Sequence, residues 1–344
     1  MDMNELKGNN LIFLISQPRA GSTLLQLMLS GHPDIATTSE PWIALHPLFA
    51  LRNDGVNVTY NSQLAKDALS DYLKQSGIDE TFYKKQVAAF LMSFYNKTLE
   101  YQKKKIFLDK TPRYYHIVFE LKEIFPEAKF IILFRNPMAV LNSIIKTWAG
   151  EDLLYLAEHR DDLIVAPEKL VSFTESCNEN VFRLSYEEFI KSPEGVLQEV
   201  CKFLGISYTN QMLDYSQRLH PEWRFGDPVG VHKATRPSSD SLERWKNGFD
   251  SPQKKLLALS YLKSLGPVLV KRMGYDYDHL ESSIDDGSFK DGHNLMTWQE
   301  IMNSTKWGEL ERLKQKTFWM ENSLSWRVTG PVRAVVNLIK KRIS

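Results

Sequence analysis

The sequence has little of what marks several protein classes. It holds only two cysteines, Cys177 and Cys201, and no Cys-x-x-Cys pair, which argues against a disulfide framework and a structural zinc site. Lys and Arg number 43 against 42 Asp and Glu, so the net charge of +1 does not attract nucleic acid and any basic site must be local. The N-terminal stretch is polar and the first apolar run is too short for a signal peptide or a membrane span, so we expect a cytoplasmic protein.

One stretch near the N-terminus organises the rest of the chain. Residues 11–15 form an apolar run that predicts a buried strand, residues 16–21 predict a turn, and the apolar spacing from Ser22 onward predicts a helix. A helix start at the end of a strand directs backbone N–H groups and a positive dipole end at one point, which favours an anion. A Walker A loop would have lysine after its second glycine, whereas Ser22 follows Gly21 and the basic side chain stands earlier, at Arg19.

The turn QPRAGSTLL resembles the 5′-phosphosulfate-binding loop of the sulfotransferase family, whose members use 3′-phosphoadenosine 5′-phosphosulfate (PAPS) as donor. Arginine replaces the lysine of the cytosolic branch, as in the bacterial and Golgi branches. The resemblance implies that Arg19 stabilises the departing nucleotide, while Ser22 and Thr23 hold the 5′-phosphate. It assigns the following residues to nucleotide binding: Arg19, Ala20, Gly21, Ser22, Thr23 and Leu24. On this motif alone, an arginine-bearing loop for another nucleotide stays open.

A second motif, FRNPMAVLNS, begins at the end of an apolar run. Asn136 and Pro137 are typical of a helix start. Arg135 therefore leaves the end of a strand, and Ser143 lies two turns into the helix. An arginine fork and a hydroxyl suit a terminal phosphate, and the motif is similar to the segment that holds the 3′-phosphate of PAPS in the family. The alternative is a salt bridge of Arg135 at the sheet edge.

Two later segments complete the resemblance. RLSYEEFIKSP is similar to a family segment from which Tyr186 would contact the nucleotide near its adenine or 3′ end; the alternative is a core aromatic side chain. SLERWKNGF resembles the loop that closes over the nucleotide, with Arg244 and Lys246 as the candidate cations. The Arg-Lys-Gly triplet of cytosolic members is absent there, so Lys233 and Arg236 are substitutes.

The acceptor hydroxyl needs a base, and two residues are candidates. Glu40, in TTSEPW, stands where glycan- and tyrosine-modifying relatives carry a catalytic glutamate; the alternative is a surface cap or ion pair. His116 is second, because histidine serves the cytosolic branch and titrates near neutral pH, although a structural role is the alternative. Lys110 and Arg113 resemble family residues near the transferred sulfuryl group. The family requires no magnesium, and no acidic metal-binding cluster is evident.

The remaining pattern predicts an α/β, P-loop-like three-layer fold with a central parallel sheet, a helical cap and a helical C-terminal extension. Further apolar strands are expected at residues 106–108, 130–134 and 181–184. Residues 33–57 are interpreted as loop with exposed aromatics, and the helical spacing in residues 61–77 and 79–103 predicts helices that form the cap.

The resemblance implies a sulfotransferase-like domain over residues 1–275, in which we expect segment 41–105 to form the cap and acceptor region, followed by an extension over residues 276–344. The extension is expected to hold a helix over residues 295–318. Residues 330–344 form a basic amphipathic pattern that fits peripheral contact with the inner membrane face, with docking on the core as the alternative.

The sequence thus predicts an enzyme that moves a sulfuryl group from PAPS to an acceptor hydroxyl, and it favours an acceptor on a carbohydrate or glycolipid in polysaccharide biosynthesis. A small-molecule or lipid hydroxyl is the first alternative. A nucleotide-dependent kinase is disfavoured because the Gly-Lys-Ser/Thr signature is missing, and a non-catalytic nucleotide- or glycan-binding protein is a third reading. Neither a metal nor a nucleic acid partner is expected.

Overall fold

A computed structural model describes residues 7–52, 58, 60–177, 179–215, 242–285 and 295–304. At its centre lie the strands β1 (Leu11–Ser16), β2 (Ile35–Thr37), β3 (Ile106–Lys110), β4 (Lys129–Phe134) and β5 (Val181–Ser185). They are all parallel and follow the order β2-β3-β1-β4-β5 in a five-stranded sheet. This confirms the predicted parallel sheet.

The central strand β1 is buried along its whole length and pairs with β3 on one side and β4 on the other. The chain first runs from β1 to the β2 and β3 side and later crosses to β4 and β5. The strand order therefore reverses at β1, and open parallel sheets bind ligands at the carboxyl ends of the strands beside such a point. The turn after β1 and the residues that follow β3 and β4 share this edge.

Helices cover both faces of the sheet. The described helices are α1 (Ser22–Leu29), α2 (Leu45–Phe49), α3 (Ser62–Gln75), α4 (Glu80–Gln102), α5 (Val118–Ile124), α6 (Pro137–Ile144), α7 (Ala166–Ser176), α8 (Tyr186–Lys191), α9 (Pro193–Leu204), α10 (Pro252–Arg272), α11 (Tyr277–Ser282) and α12 (Trp298–Met302). Helices α3 and α4 confirm the helices expected in the cap.

The two sheet faces belong to separate hydrophobic clusters because alternate side chains of a strand point in opposite directions. Phe13 and Ile15 pack with α4, α6, α7 and α10, whereas Ile12 and Leu14 pack with α1, α8 and α9. Full burial of one such side chain stabilises the fold by about 1.5–3 kcal/mol. The result is the expected three-layer α/β arrangement.

Local signals explain several helix ends near the ligand edge. The Asn136 side chain accepts hydrogen bonds from the backbone N–H of Met138 and Ala139, and Pro137 occupies the first helical position of α6. The following residues form one π-helical turn, Ile145–Ala149, and a second π-helical turn spans Asp161–Val165. Helix α9 ends at Gly205, whose φ of 72° suits glycine, as expected.

Some expectations were wrong. Residues 35–37 are a strand rather than loop, because they pair with the otherwise open edge of β3. Trp42 and Phe49 are partly buried against the core rather than exposed.

The C-terminal expectations fall largely outside the described residues. Helix α12 lies within the expected helix 295–318, but residues 305–318, the amphipathic segment 330–344, and both Lys233 and Arg236 are not described. Of the helices in the described ranges, none combines the length and the apolar character needed to cross a membrane.

Candidate active site

The turn after β1 is built for close approach to an anion. Arg19 and Gly21 both have left-handed backbone conformations, with φ of 69° and 96°. The backbone N–H groups of Gly21, Ser22 and Thr23 donate to no described residue. A helix start with several unpaired N–H groups suits an anion, and the assignment of this turn to a phosphate stays a prediction.

Gly21 is required at this turn by its neighbour as well as by its conformation. A Cβ atom there would lie 2.4 Å from two ring carbons of Tyr186. The same ring supports Arg135, whose guanidinium carbon lies 4.3 Å from the ring centre. Tyr186 therefore braces the first and second motifs; its predicted contact with a nucleotide stays a prediction.

The two predicted phosphate motifs touch each other. The Nε of Arg19 donates to Oγ of Ser143 at 3.1 Å, and Nη1 of Arg135 donates to the backbone oxygen of Arg19 at 2.8 Å. The Nε of Arg135 is buried and has no described partner. A buried donor without an acceptor is costly, so this nitrogen is suited to an anion that enters the site.

Glu40 and Lys110 form a buried ion pair next to the turn. Lys110, whose side chain is 1% exposed, donates to Oε1 of Glu40 at 2.7 Å and approaches Oγ1 of Thr23 at 3.4 Å. The indole Nε1 of Trp42 donates to the other Glu40 oxygen at 3.0 Å. The candidate base thus contacts the candidate sulfuryl-neutralising cation, and that cation reaches Thr23 at the helix start.

A buried carboxylate behind this pair was not found by sequence reasoning. Asp109 accepts hydrogen bonds from Tyr95 at 2.7 Å and Thr111 at 2.8 Å. Burial raises the pKa of Asp109 to about 6, although these hydrogen bonds lower it. Because Asp109 precedes Lys110 in β3, it joins the cap helix α4 to the strand end that carries the cation.

A second carboxylate missed by sequence reasoning lies beside Arg113. Asp162 accepts from Nε and Nη2 of Arg113 at 2.9 and 2.6 Å, from Tyr115 at 2.9 Å and contacts Nδ1 of His159 at 3.1 Å. Burial alone would raise its pKa, but the hydrogen bonds from His159 and Arg113 outweigh burial and lower the pKa to about 2. Neither Asp162 nor His159 lies in a recognisable motif.

The second candidate base, His116, has surroundings unlike those of Glu40. Its ring packs against the rings of Tyr115 and Phe49, and its backbone oxygen accepts hydrogen bonds from Arg52 and Lys169. Burial lowers the pKa of His116. The contacts described for Arg19, Lys110 and Ser143 do not include this imidazole.

The late segment packs near the second motif through its glycine. A Cβ atom on Gly248 would lie 2.0 Å from Oδ1 of Asn142, the residue before Ser143. Arg244 is exposed, and the exposed Lys246 forms an ion pair with Glu243. Their assignment to nucleotide binding remains a prediction. Within the described ranges, no group of three or more His, Cys, Asp or Glu side chains is arranged to hold a metal ion.

The chain is similar to several known proteins. The nodulation protein NoeE of Sinorhizobium fredii is 35% identical over 136 residues, which cover 40% of this chain and only 31% of that protein. Protein-tyrosine sulfotransferase A of Caenorhabditis elegans is 26% identical over 282 residues, 77% of this chain and 67% of that protein. A solved sulfotransferase domain from the Synechococcus PCC 7002 olefin synthase has 21% identity and a TM-score of 0.47, covering 69% of this chain and 86% of that chain.

The family comparison covers the sheet and both predicted phosphate motifs. The model described as the sulfotransferase family matches residues 11–210, which is more than half of the chain. That range contains the anion-binding turn, the Glu40 and Lys110 pair, and the contact between Arg19 and Ser143. The chain therefore belongs to the sulfotransferase family.

Proposed function

We propose that the protein transfers the sulfuryl group of PAPS to a hydroxyl group of a carbohydrate acceptor. The observation that carries the proposal is the junction of two anion sites in one place. Unpaired N–H groups at residues 21–23 suit a 5′-phosphate, and the adjoining Arg135 and Ser143 suit a second phosphate. PAPS carries a phosphate at its 3′ position and ATP does not, so two adjoining sites favour PAPS.

The reaction that this site supports is an in-line displacement at sulfur. The acceptor oxygen forms a bond to sulfur as the bond between sulfur and the bridging phosphate oxygen breaks. The electron pair of the broken bond stays on the 5′-phosphate of the leaving 3′-phosphoadenosine 5′-phosphate (PAP), and the acceptor proton passes to Glu40. Phosphoryl transfer proceeds through a comparably loose transition state, in which positioning and charge stabilisation dominate.

Two cations, Arg19 and Lys110, would supply that charge stabilisation. Arg19, at the turn, would stabilise the negative charge on the leaving oxygen, and Lys110 would neutralise the transferred group. A preorganised cation acts strongly in a site of low dielectric, and Lys110 is nearly fully buried. The hydrogen bond to Lys110 also keeps Glu40 oriented toward the same space.

A carbohydrate acceptor is supported by the neighbourhood of the base. A sugar hydroxyl is a weak acid and needs a general base. Glu40 accepts a hydrogen bond from the partly exposed Trp42, and Arg113 lies near the rings of both Trp42 and Trp148. A second candidate acceptor is the phenol of a tyrosine in a protein. It is supported by the similarity to protein-tyrosine sulfotransferases over 77% of the chain.

Sulfate transfer from radiolabelled PAPS to a panel of acceptors tests the proposal. The panel contains oligosaccharides, tyrosine peptides, and alcohols of small molecules and lipids. We expect label in oligosaccharides; label only in peptides would favour the tyrosine alternative. Failure to label any acceptor, despite binding of PAP, would support a non-catalytic binding protein. Phosphate transfer from ATP would show instead that the protein is a kinase.

A further inference from the structure

Two π-helical turns lie in the part of the chain between the second and third motifs. The turn Ile145–Ala149 carries Trp148, and the turn Asp161–Val165 carries Asp162. Their side chains are linked by His159, which stacks on the Trp148 ring at 4.5 Å and contacts Asp162. Such turns interrupt the regular hydrogen bonds of an α-helix and occur often at functional sites.

Asp162 holds Arg113 in one orientation. It accepts two parallel hydrogen bonds from the Nε and Nη2 edge of the guanidinium, and Tyr115 and His159 take the remaining positions on its oxygens. The Asp162 side chain is 3% exposed, whereas that of Arg113 is 31% exposed. A bidentate pair with a saturated, buried carboxylate fixes the plane of the guanidinium.

The fixed guanidinium lies near two tryptophans, one of which contacts the candidate base and the other the candidate leaving-group cation. Its central carbon is 5.7 Å from the ring centre of Trp42, and Trp42 donates to Glu40. The same carbon is 5.8 Å from the ring centre of Trp148, and the guanidinium carbon of Arg19 is also 5.8 Å from that centre. Arg113 is thus connected through Trp42 to the candidate base and through Trp148 to Arg19.

One edge of Arg113 remains for a ligand. The Nε and Nη2 edge is used by Asp162, and Nη1 donates to no described residue. A donor already fixed in orientation binds an acceptor oxygen without the entropic cost of ordering a flexible side chain. The remaining edge is therefore a preorganised donor for a ligand oxygen.

We propose that Asp162 is a positioning residue that fixes Arg113 so that its Nη1 edge binds an oxygen of the acceptor next to the reacting hydroxyl. The inference rests on the proposed function and names a specificity contact within it. The side chain of Asp162 acts on the acceptor, whereas its backbone contacts the turn that binds the donor. Gln17, at the start of that phosphate turn, donates to the backbone oxygen of Asp162 at 3.0 Å. A change of the Asp162 side chain preserves that bond.

The test compares Asp162→Asn, Arg113→Lys and the double variant in the full chain. The labelled-PAPS assay measures the KM for acceptor at saturating PAPS, and calorimetry measures the Kd for PAP. Asp162→Asn places an amide donor against Arg113, and Arg113→Lys keeps the charge but loses the fork. We expect each to raise the acceptor KM about tenfold or more and to leave the PAP Kd within about threefold. The double variant should resemble Arg113→Lys alone, because Asp162 acts through Arg113.

A matched control is the half-buried pair of Arg52 and Glu120, which are 2.5 Å apart. Glu120→Gln should cost stability without changing the acceptor KM. An unchanged acceptor KM in Arg113→Lys, additive effects in the double variant, or a parallel loss of PAP affinity would overturn the inference. If Asp162→Asn does not fold, the acceptor KM and the PAP Kd of Arg113→Lys decide whether the inference holds. Wild-type protein that transfers no sulfate would instead overturn the proposed function, and this inference with it.

Discussion

At the scale of single residues, the charge of Arg19 is the one on which transfer depends most. Its guanidinium is held by Ser143 beside the helix start, where the leaving oxygen would lie. We expect Arg19→Ala to lower kcat by about 100- to 1,000-fold, as the loss of one preorganised donor does, because charge develops there only in the transition state. Kinetics with labelled PAPS give kcat, and calorimetry with PAP should show a much smaller loss of affinity.

Arg19→Lys is the control, since it keeps the charge but loses the hydrogen bond from Nε to Ser143. The kcat of Arg19→Lys should lie between that of the wild type and that of Arg19→Ala. Equal losses of kcat and PAP affinity in Arg19→Ala would show that the side chain binds the ground state instead, contrary to the proposed role.

Glu40 is the residue that decides the proton transfer. Glu40→Gln keeps an oxygen that accepts a hydrogen bond from the buried Lys110, whereas truncation to alanine would remove that acceptor. We expect kcat to fall by about 100- to 10,000-fold with PAP affinity preserved. The same kinetic and calorimetric measurements on His116→Gln provide the comparison: if that variant loses turnover and Glu40→Gln keeps it, the base is His116.

At the scale of elements, the phosphate turn depends on a glycine that no side chain can replace. Gly21→Ala would place Cβ 2.4 Å from the Tyr186 ring at a φ of 96°. Gly77 has a similar conformation, with φ of 67°, but open space around it. We expect Gly77→Ala to cost about 1 kcal/mol of stability and leave PAP affinity unchanged, whereas Gly21→Ala should weaken PAP binding by at least about tenfold. Denaturant unfolding and calorimetry measure the two effects; equal PAP affinities in the two variants would contradict this.

The end of β3 should give the protein a pH-dependent stability. The folded-state pKa of Asp109, about 6, lies above the ordinary value of 3.8, so ionisation opposes folding. The contribution of this group to the free energy of unfolding is therefore full below pH 3.8 and is lost as pH rises through about 6. The loss amounts to about 3 kcal/mol. Asp109→Asn should remove this slope in urea unfolding measured from pH 4 to pH 7; a slope equal to that of wild type would contradict the assignment.

At the scale of the whole molecule, the sequence predicts most of the fold because the central strands are local apolar runs. Residues 130–134 are entirely apolar, and they form most of β4. The strand β2 was missed because three residues, Ile35–Thr37, show no period, and only the open edge of β3 makes them a strand. Tertiary pairing supplies what the local pattern lacks.

The same distinction explains which site residues were found. Arg19 and Arg135 follow β1 and β4, and Lys110 is the last residue of β3. Because these strands are neighbours in a parallel sheet, their motifs come together, as expected from the motifs alone. Asp162 lies 49 positions from Arg113 in a segment without a motif, and only the packed structure brings the two side chains together. Asp109 is next to the predicted Lys110, but its burial against α4 has no signal in the sequence.

The central claim is that one site binds a nucleotide with phosphates at both its 5′ and 3′ positions. Calorimetric titration with PAP, AMP and ATP, without added metal and again with magnesium, tests it most directly. We expect PAP to bind with micromolar affinity and AMP to bind at least about 100-fold more weakly. Arg135→Ala should abolish that difference, because it removes the charged fork. Equal affinities for PAP and AMP, or a preference for ATP with magnesium, would contradict it.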